Sequence, residues 1–322
     1  MFKRLTLVVI IIAVAIAVLM VMLKREKERA QQEGCNGGLQ VVSTTTMVTD
    51  MVKVIGGERI NLMGMMAAKV DPHSYQVTFS DTAALKKADL IFYSGHHLEG
   101  KMQDILEKRA DNKGGVYAVT DGIAEGSLLK PQEEFEGYYD PHFWGDPKLW
   151  TNCISIVVDA LSEADPEGIE EYKRRGAEYE ADIVALHEWA EKRIAEIPER
   201  QRVLVTSHDA FFYFGNAFGF EVRGLQGVST NSESGLKDRA DLVQYIKDRQ
   251  LKMIFPESSV NAKGIKAVAN EAGVAVSEHE LFSDAMGELG DSVTLHGETY
   301  DKGTYIGMMK HNVNTIVDGL KP

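Results

Sequence analysis

The chain has 322 residues, 44% of them hydrophobic and 26% charged, a globular balance that argues against a disordered, collagen-like or multi-span membrane protein. Its 35 Lys and Arg stand against 48 Asp and Glu, a net charge of −13, and a body that acidic repels phosphate backbones while suiting cations, so no nucleic acid is expected as a partner. One core is near its practical ceiling at this length, so two lobes are expected.

Residues 1–30 carry six basic and two acidic side chains, which leaves 29 basic against 46 acidic in the remainder, a net −17. Residues 5–23 are apolar apart from Thr6 and lie between Lys3-Arg4 and Lys24-Arg25, a run of 19 residues against the roughly 20 that cross a bilayer. No A-x-A-like cleavage site follows it, which predicts an uncleaved membrane anchor, with a cleaved export signal as the alternative. Either places the body outside the cytoplasm, in the periplasm or at the cell surface, and the first tethers it to the cytoplasmic membrane. Cys35 does not look like a lipid-attachment site. Cys35 and Cys153, the only two cysteines, leave open whether they pair, and they are too few for a Cys-based zinc module.

From residue 39 short β-branched runs alternate with amphipathic stretches. Strands are predicted at 39–45, 60–66, 89–95 and 115–120, then at 202–207, 221–225, 252–258 and 274–278. Such alternation implies an α/β fold with parallel sheets flanked by helices, four strands in each half. Between the halves, residues 166–197 are dense in Glu, Ala, Arg and Lys, with Asp165 as a candidate N-cap and Pro166 at the first helical position. A rigid helix of roughly 48 Å is expected there, joining the lobes as a spine. The division is therefore 1–36 anchor or export signal with linker, 37–164 first lobe, 165–198 spine and 199–322 second lobe.

Ligands gather at the carboxyl ends of parallel strands. Four segments fit that position: Asp71-Pro72-His73-Ser74-Tyr75, Asp140-Pro141-His142-Phe143-Trp144, Thr206-Ser207-His208-Asp209 and Leu281-Phe282-Ser283-Asp284. In the repeated Asp-Pro-His the proline fixes φ and holds the loop. A plain turn, with the Asp side chain bonded to nearby backbone, explains the same triplet without a ligand. Three imidazoles and one carboxylate form a four-coordinate set suited to Zn²⁺, with Mn²⁺ admissible if the carboxylate binds through both oxygens.

These pieces, with SGHHLEGKM, TSHDAFFYF, GVSTNSESGLKD, FPESSV, LFSDAMGELG and GTYIGMMKHNVNTIV, span about residues 39–320. In that order they resemble the zinc- and manganese-binding solute-binding proteins of bacterial ABC importers, the TroA/ZnuA type. The resemblance implies that His73, His142, His208 and Asp284 bind the transported metal. It further implies two four-stranded lobes joined by one long helix, no enzymatic activity, monomeric capture, and delivery to an ABC permease. Residues 121–139 contain no His, so they lack the histidine-rich loop of some zinc-uptake relatives. Where manganese-selective relatives commonly carry Glu this chain has His208, and nitrogen there favours zinc.

Glu257 and Asp209 are candidates to orient an imidazole. His96 and His97 are expected to cap or pack, His187 to be solvated on the spine, and His279, His296 and His311 to lie at the surface or in packing. Phe211-Phe212-Tyr213-Phe214 is expected in the second lobe's core, and residues 290–303 suggest no role. An extracytoplasmic zinc hydrolase and a metal-binding adhesin are the rival readings. The hydrolase is disfavoured because four protein donors leave no position for water and no G-x-S-x-G, H-E-x-x-H or P-loop is present.

Overall fold

A computed structural model describes residues 38–322 except 132–134, 136 and 232–233. The apolar run 5–23 and Cys35 lie outside the described residues.

The first lobe holds β1 (Leu39–Ser43), α1 (Thr46–Gly56), β2 (Ile60–Gly64), α2 (Phe79–Lys87), β3 (Leu90–Tyr93), α3 (Gln103–Lys113) and β4 (Val116–Ala118). Its four strands form one parallel sheet in the order β2-β1-β3-β4. Two helices, α4 (Pro147–Asn152) and α5 (Ile154–Ala164), then lead to the spine.

The spine is a 3-10 turn, Pro166–Gly168, followed by the 26-residue helix α6 (Ile169–Ile194), which at 1.5 Å per residue is roughly 39 Å long. Asp165 stands at the N-cap of that turn with Pro166 inside it, as expected, while its carboxylate takes Arg59 Nε at 2.7 Å and Nη2 at 2.9 Å, and the Tyr172 hydroxyl at 2.7 Å. Tyr172, Gly176, Tyr179, Ile183, Leu186, Ala190 and Ile194 are buried along α6, a stripe at helical spacing. Gly176 lets α5 approach, since a Cβ there would lie 2.7 Å from Val158 Cγ2. His187 departs from its expected solvation: it is buried and stacks on Phe218 with centroids 5.1 Å apart.

The second lobe contains β5 (Val203–His208), α7 (Phe212–Phe218), β6 (Glu221–Gln226), α8 (Leu236–Asp248), β7 (Met253–Ile254), α9 (Lys263–Ala272) and β8 (Ala275–Val276). Here the four parallel strands form two ladders, β5 with β6 and β7 with β8. The Phe255 amide, donating to the Val205 carbonyl at 2.9 Å, joins them. All eight predicted strands are present, with β7 and β8 only two residues long. Residues 290–303 form an antiparallel hairpin, β9 (Ser292–Leu295) and β10 (Glu298–Asp301), turning through His296 and Gly297 at φ 51° and 80°. His296 lies 2.9 Å from both Arg193 of the spine and Asp318 of the last helix, α10 (Tyr305–Leu320).

One apolar cluster runs through both lobes and the spine, from Met47 and Ile55 through Tyr179 and Ile183 to Phe214 and Ile316. Tyr305 of α10 stacks on Trp150 at 5.1 Å and donates its hydroxyl to the Trp144 carbonyl at 2.8 Å. This continuous packing opposes wide hinge motion. Phe211, Tyr213 and Phe214 are buried as expected, and Cys153 is a buried free thiol.

Candidate metal centre

The structure brings the four sequence-selected side chains together. His73, His142, His208 and Asp284 each turn one potential donor atom into a group lying within 4.8 Å of one another, and all four residues are buried. His73 Nε2 is 3.3 Å from His142 Nε2, His142 Nε2 is 3.3 Å from Asp284 Oδ1, and His208 Nε2 is 3.2 Å from Asp284 Oδ2. A tetrahedron with metal–ligand bonds of about 2.0–2.1 Å has edges of roughly 3.3–3.4 Å, so these separations suit a zinc-sized ion. Two atoms of the group, His208 Nε2 and Asp284 Oδ1, are buried without a hydrogen-bond partner.

Each side chain arrives by a different route. His208 is the last residue of β5. His142 precedes the 3-10 turn Phe143–Gly145, whose Phe143 and Trp144 are buried. Asp284 follows the bridge between Glu257 and Leu281, and the Asn312 side chain clamps the backbone of Phe282 through bonds of 2.9 and 2.7 Å. His73 stands in the long connection between β2 and α2.

Carboxylates orient two of the rings. Glu257 Oε2 accepts from His208 Nδ1 at 2.5 Å and its Oε1 accepts from the His208 amide at 2.8 Å. Asp140 Oδ1 accepts from both the His142 amide and His142 Nδ1 at 2.8 Å. These bonds place a proton on Nδ1 and leave Nε2 facing the centre. Glu257 thus has the orienting contact expected of it. For His142 the partner is Asp140, which sequence reasoning left without a role. Its signal was present in the repeated triplet, because Asp71 Oδ1 likewise accepts from the His73 amide at 2.9 Å. The Asp-turn and the converging imidazole therefore coexist in both copies.

The electrostatics are divided. Burial pushes His73 down to about 3, against an opposing pull from Asp284. Burial acts the same way on His142, but Asp140 and Asp284 outweigh it and raise that ring to about 9. His208 is raised well above the usual imidazole range, Asp284 and Glu257 overcoming its burial. Burial alone would raise Asp284, yet His208 and His142 hold it well below the usual carboxylate range. Burial thus favours the neutral form of His73, whereas the neighbouring carboxylates favour the charged forms of His142 and His208.

The remaining histidines are not among the four grouped donors. His97 stacks on Tyr138 at 4.6 Å and His96 meets the edge of Tyr139, so both pack. His311 is buried and pushed down to about 4 by that burial, and bonds to the Glu280 carbonyl. His279 is exposed.

A family model described as zinc-uptake complex component A, periplasmic, matches residues 41–319. The manganese-binding lipoprotein MntA of Bacillus subtilis is 42% identical over 88% of this chain and 90% of its own. The zinc-binding protein TroA of Treponema pallidum is 38% identical over 90% of this chain and 92% of its own. The solved structure of the Treponema pallidum periplasmic zinc-binding protein superposes with a TM-score of 0.82, covering 89% of this chain and 100% of that one.

Proposed function

We propose, from the premise that this chain belongs to the zinc-uptake complex component A family of solute-binding proteins, that His73, His142, His208 and Asp284 capture one divalent cation, zinc or manganese, outside the cytoplasm for an ABC permease. The observation that carries this reading is the set of 3.2–3.3 Å separations among three imidazole nitrogens and one carboxylate. In the lobe division 37–164, 165–198 and 199–322, His73 and His142 come from one side and His208 and Asp284 from the other, so a bound ion bridges the cleft. It stabilises the closed form by its preference for that form. Four protein donors fill a tetrahedron and leave no site for an activated water, which favours carriage over hydrolysis. The N₃O donor set favours zinc, and a competition titration against manganese measures the preference. We further propose that residues 5–23 tether the protein, as a monomer, beside its transporter.

Elemental analysis and calorimetry on the whole protein test the reading. One metal per chain is expected, lost in His73→Ala and His208→Ala. Full stoichiometry in both variants would contradict it.

A further inference from the structure

His73 differs from the other imidazoles of the centre in how it is held. Among the described residues no carboxylate meets its Nδ1, and its ring packs against those of His142 and His208. Its position is set through the main chain. The amide donates to Asp71 Oδ1 at 2.9 Å, and the carbonyl accepts from Asn231 Nδ2 at 3.0 Å. Asp71 Oδ2 in turn accepts from Thr230 Oγ1 at 2.6 Å and from Ser74 Oγ at 2.7 Å. Thr230 and Asn231 belong to the second lobe, whereas His73 and Asp71 belong to the first.

We infer that Thr230 and Asn231 form a latch across the cleft that positions His73 and sets the rate at which metal leaves. The inference rests on the metal-carrier reading above and names the residues that govern release. Any separation of the lobes withdraws Asn231 from the His73 carbonyl and Thr230 from Asp71, which frees the loop bearing His73. His142 and His208 keep their own carboxylates, Asp140 and Glu257, through the same movement, because each pair lies within one lobe. His73 is therefore the donor that departs first, and Thr230 and Asn231 are positioning residues that couple lobe closure to the coordination number. The hydroxyl of Thr230 donates to a carboxylate oxygen, the stronger class of hydrogen bond.

The test measures metal association and release separately by stopped flow, with zinc and an excess of chelator, on the whole protein carrying Thr230→Val with Asn231→Leu, and on Thr230→Ser. Asn231 is exposed and Thr230 is half-buried, so neither change opens a core cavity. Losing two hydrogen bonds, one of them charge-assisted, is expected to speed release roughly 10- to 100-fold, with association within about threefold and the metal stoichiometry retained. Thr230→Ser, which keeps the hydroxyl, should release metal at the wild-type rate. With cobalt as the probe ion, the visible absorption of the double variant should lose tetrahedral intensity, which a merely structural role would not change. Unchanged release in the double variant, with metal binding intact, would overturn the latch alone. A wild type that takes up no metal would overturn the carrier reading and the latch together.

Discussion

Glu257→Gln should weaken metal binding more than Asp140→Asn, although each replaces one carboxylate behind one imidazole. Glu257 uses both oxygens, Oε2 for His208 Nδ1 and Oε1 for the His208 amide. Glutamine has one oxygen for these two N–H donors and turns its NH₂ toward the other. Either the amide is left unpaired in a buried site, or the ring shifts its proton to Nε2 and withdraws the lone pair that the metal needs. Asp140 serves both of its donors with Oδ1, while its Oδ2 is buried without a partner. Asparagine preserves that geometry and the tautomer. Loss of such an orienting partner costs about 10- to 100-fold in affinity, or roughly 1.4–2.7 kcal/mol. Glu257→Gln belongs at the upper end and Asp140→Asn at or below the lower. The assay is a zinc titration against a chromophoric chelator at pH 7, with urea unfolding to show that both variants fold. Equal losses, or a greater loss in Asp140→Asn, would refute the reasoning.

Further outcomes follow from the charges of the centre. With His142 raised to about 9 and His208 raised well above the usual imidazole range, binding at pH 7 must expel about two protons per metal. Calorimetry in buffers of different ionisation enthalpy measures this, and no proton release would contradict it. The same shift moves the pH window of affinity: binding should keep strengthening from pH 7 toward 9, where unperturbed imidazoles, with values near 6.5, would already be deprotonated. For the metal-free fold the sign is opposite. The raised His142 contributes stability that is complete below about 6.5 and lost as pH rises through about 9, whereas neutral His73, held near 3, destabilises as pH falls below about 6.5. Asp50, raised to about 6 by burial despite bonds from the Tyr305 amide and the Tyr179 hydroxyl, is ionised at a cost above that pH. Asp50→Asn should therefore raise stability at pH 7, by up to about 3 kcal/mol in urea unfolding, and a loss would contradict the assignment. Zinc at a thousandfold excess over its Kd should add about 4 kcal/mol and raise Tm by roughly 7 °C, a shift absent in His208→Ala.

The strands of both lobes were legible because each is a short apolar run closed by turn residues, a signal contained within seven residues or fewer. The four converging side chains were legible as far as local chemistry reaches: Asp-Pro-His marks a constrained loop, and the strand ending in Thr206-Ser207-His208 marks a carboxyl edge. What escaped depends on contacts between distant segments. The strands at 252–258 and 274–278 were located, but not their length, because only the two residues of each that pair with the other form a ladder. Asp165 sits at the N-cap as its sequence suggests, but the Arg59 that takes its carboxylate is 106 residues earlier. His187 reads as solvated on a charged helix until Phe218 covers it. Thr230 and Asn231 sit in a Ser- and Asn-rich stretch that looks like any loop, and their partners lie 159 and 158 residues away. Asp140 was the avoidable omission, since its neighbour at position 142 was already selected.

Anomalous diffraction at the zinc edge from crystals of the zinc-loaded protein locates the ion itself. A single full-occupancy peak is expected about 2.0–2.2 Å from Nε2 of His73, His142 and His208 and from the Asp284 carboxylate, with no water on the ion. A peak elsewhere, or an ion bound by fewer than four of these side chains with water completing its shell, would contradict it.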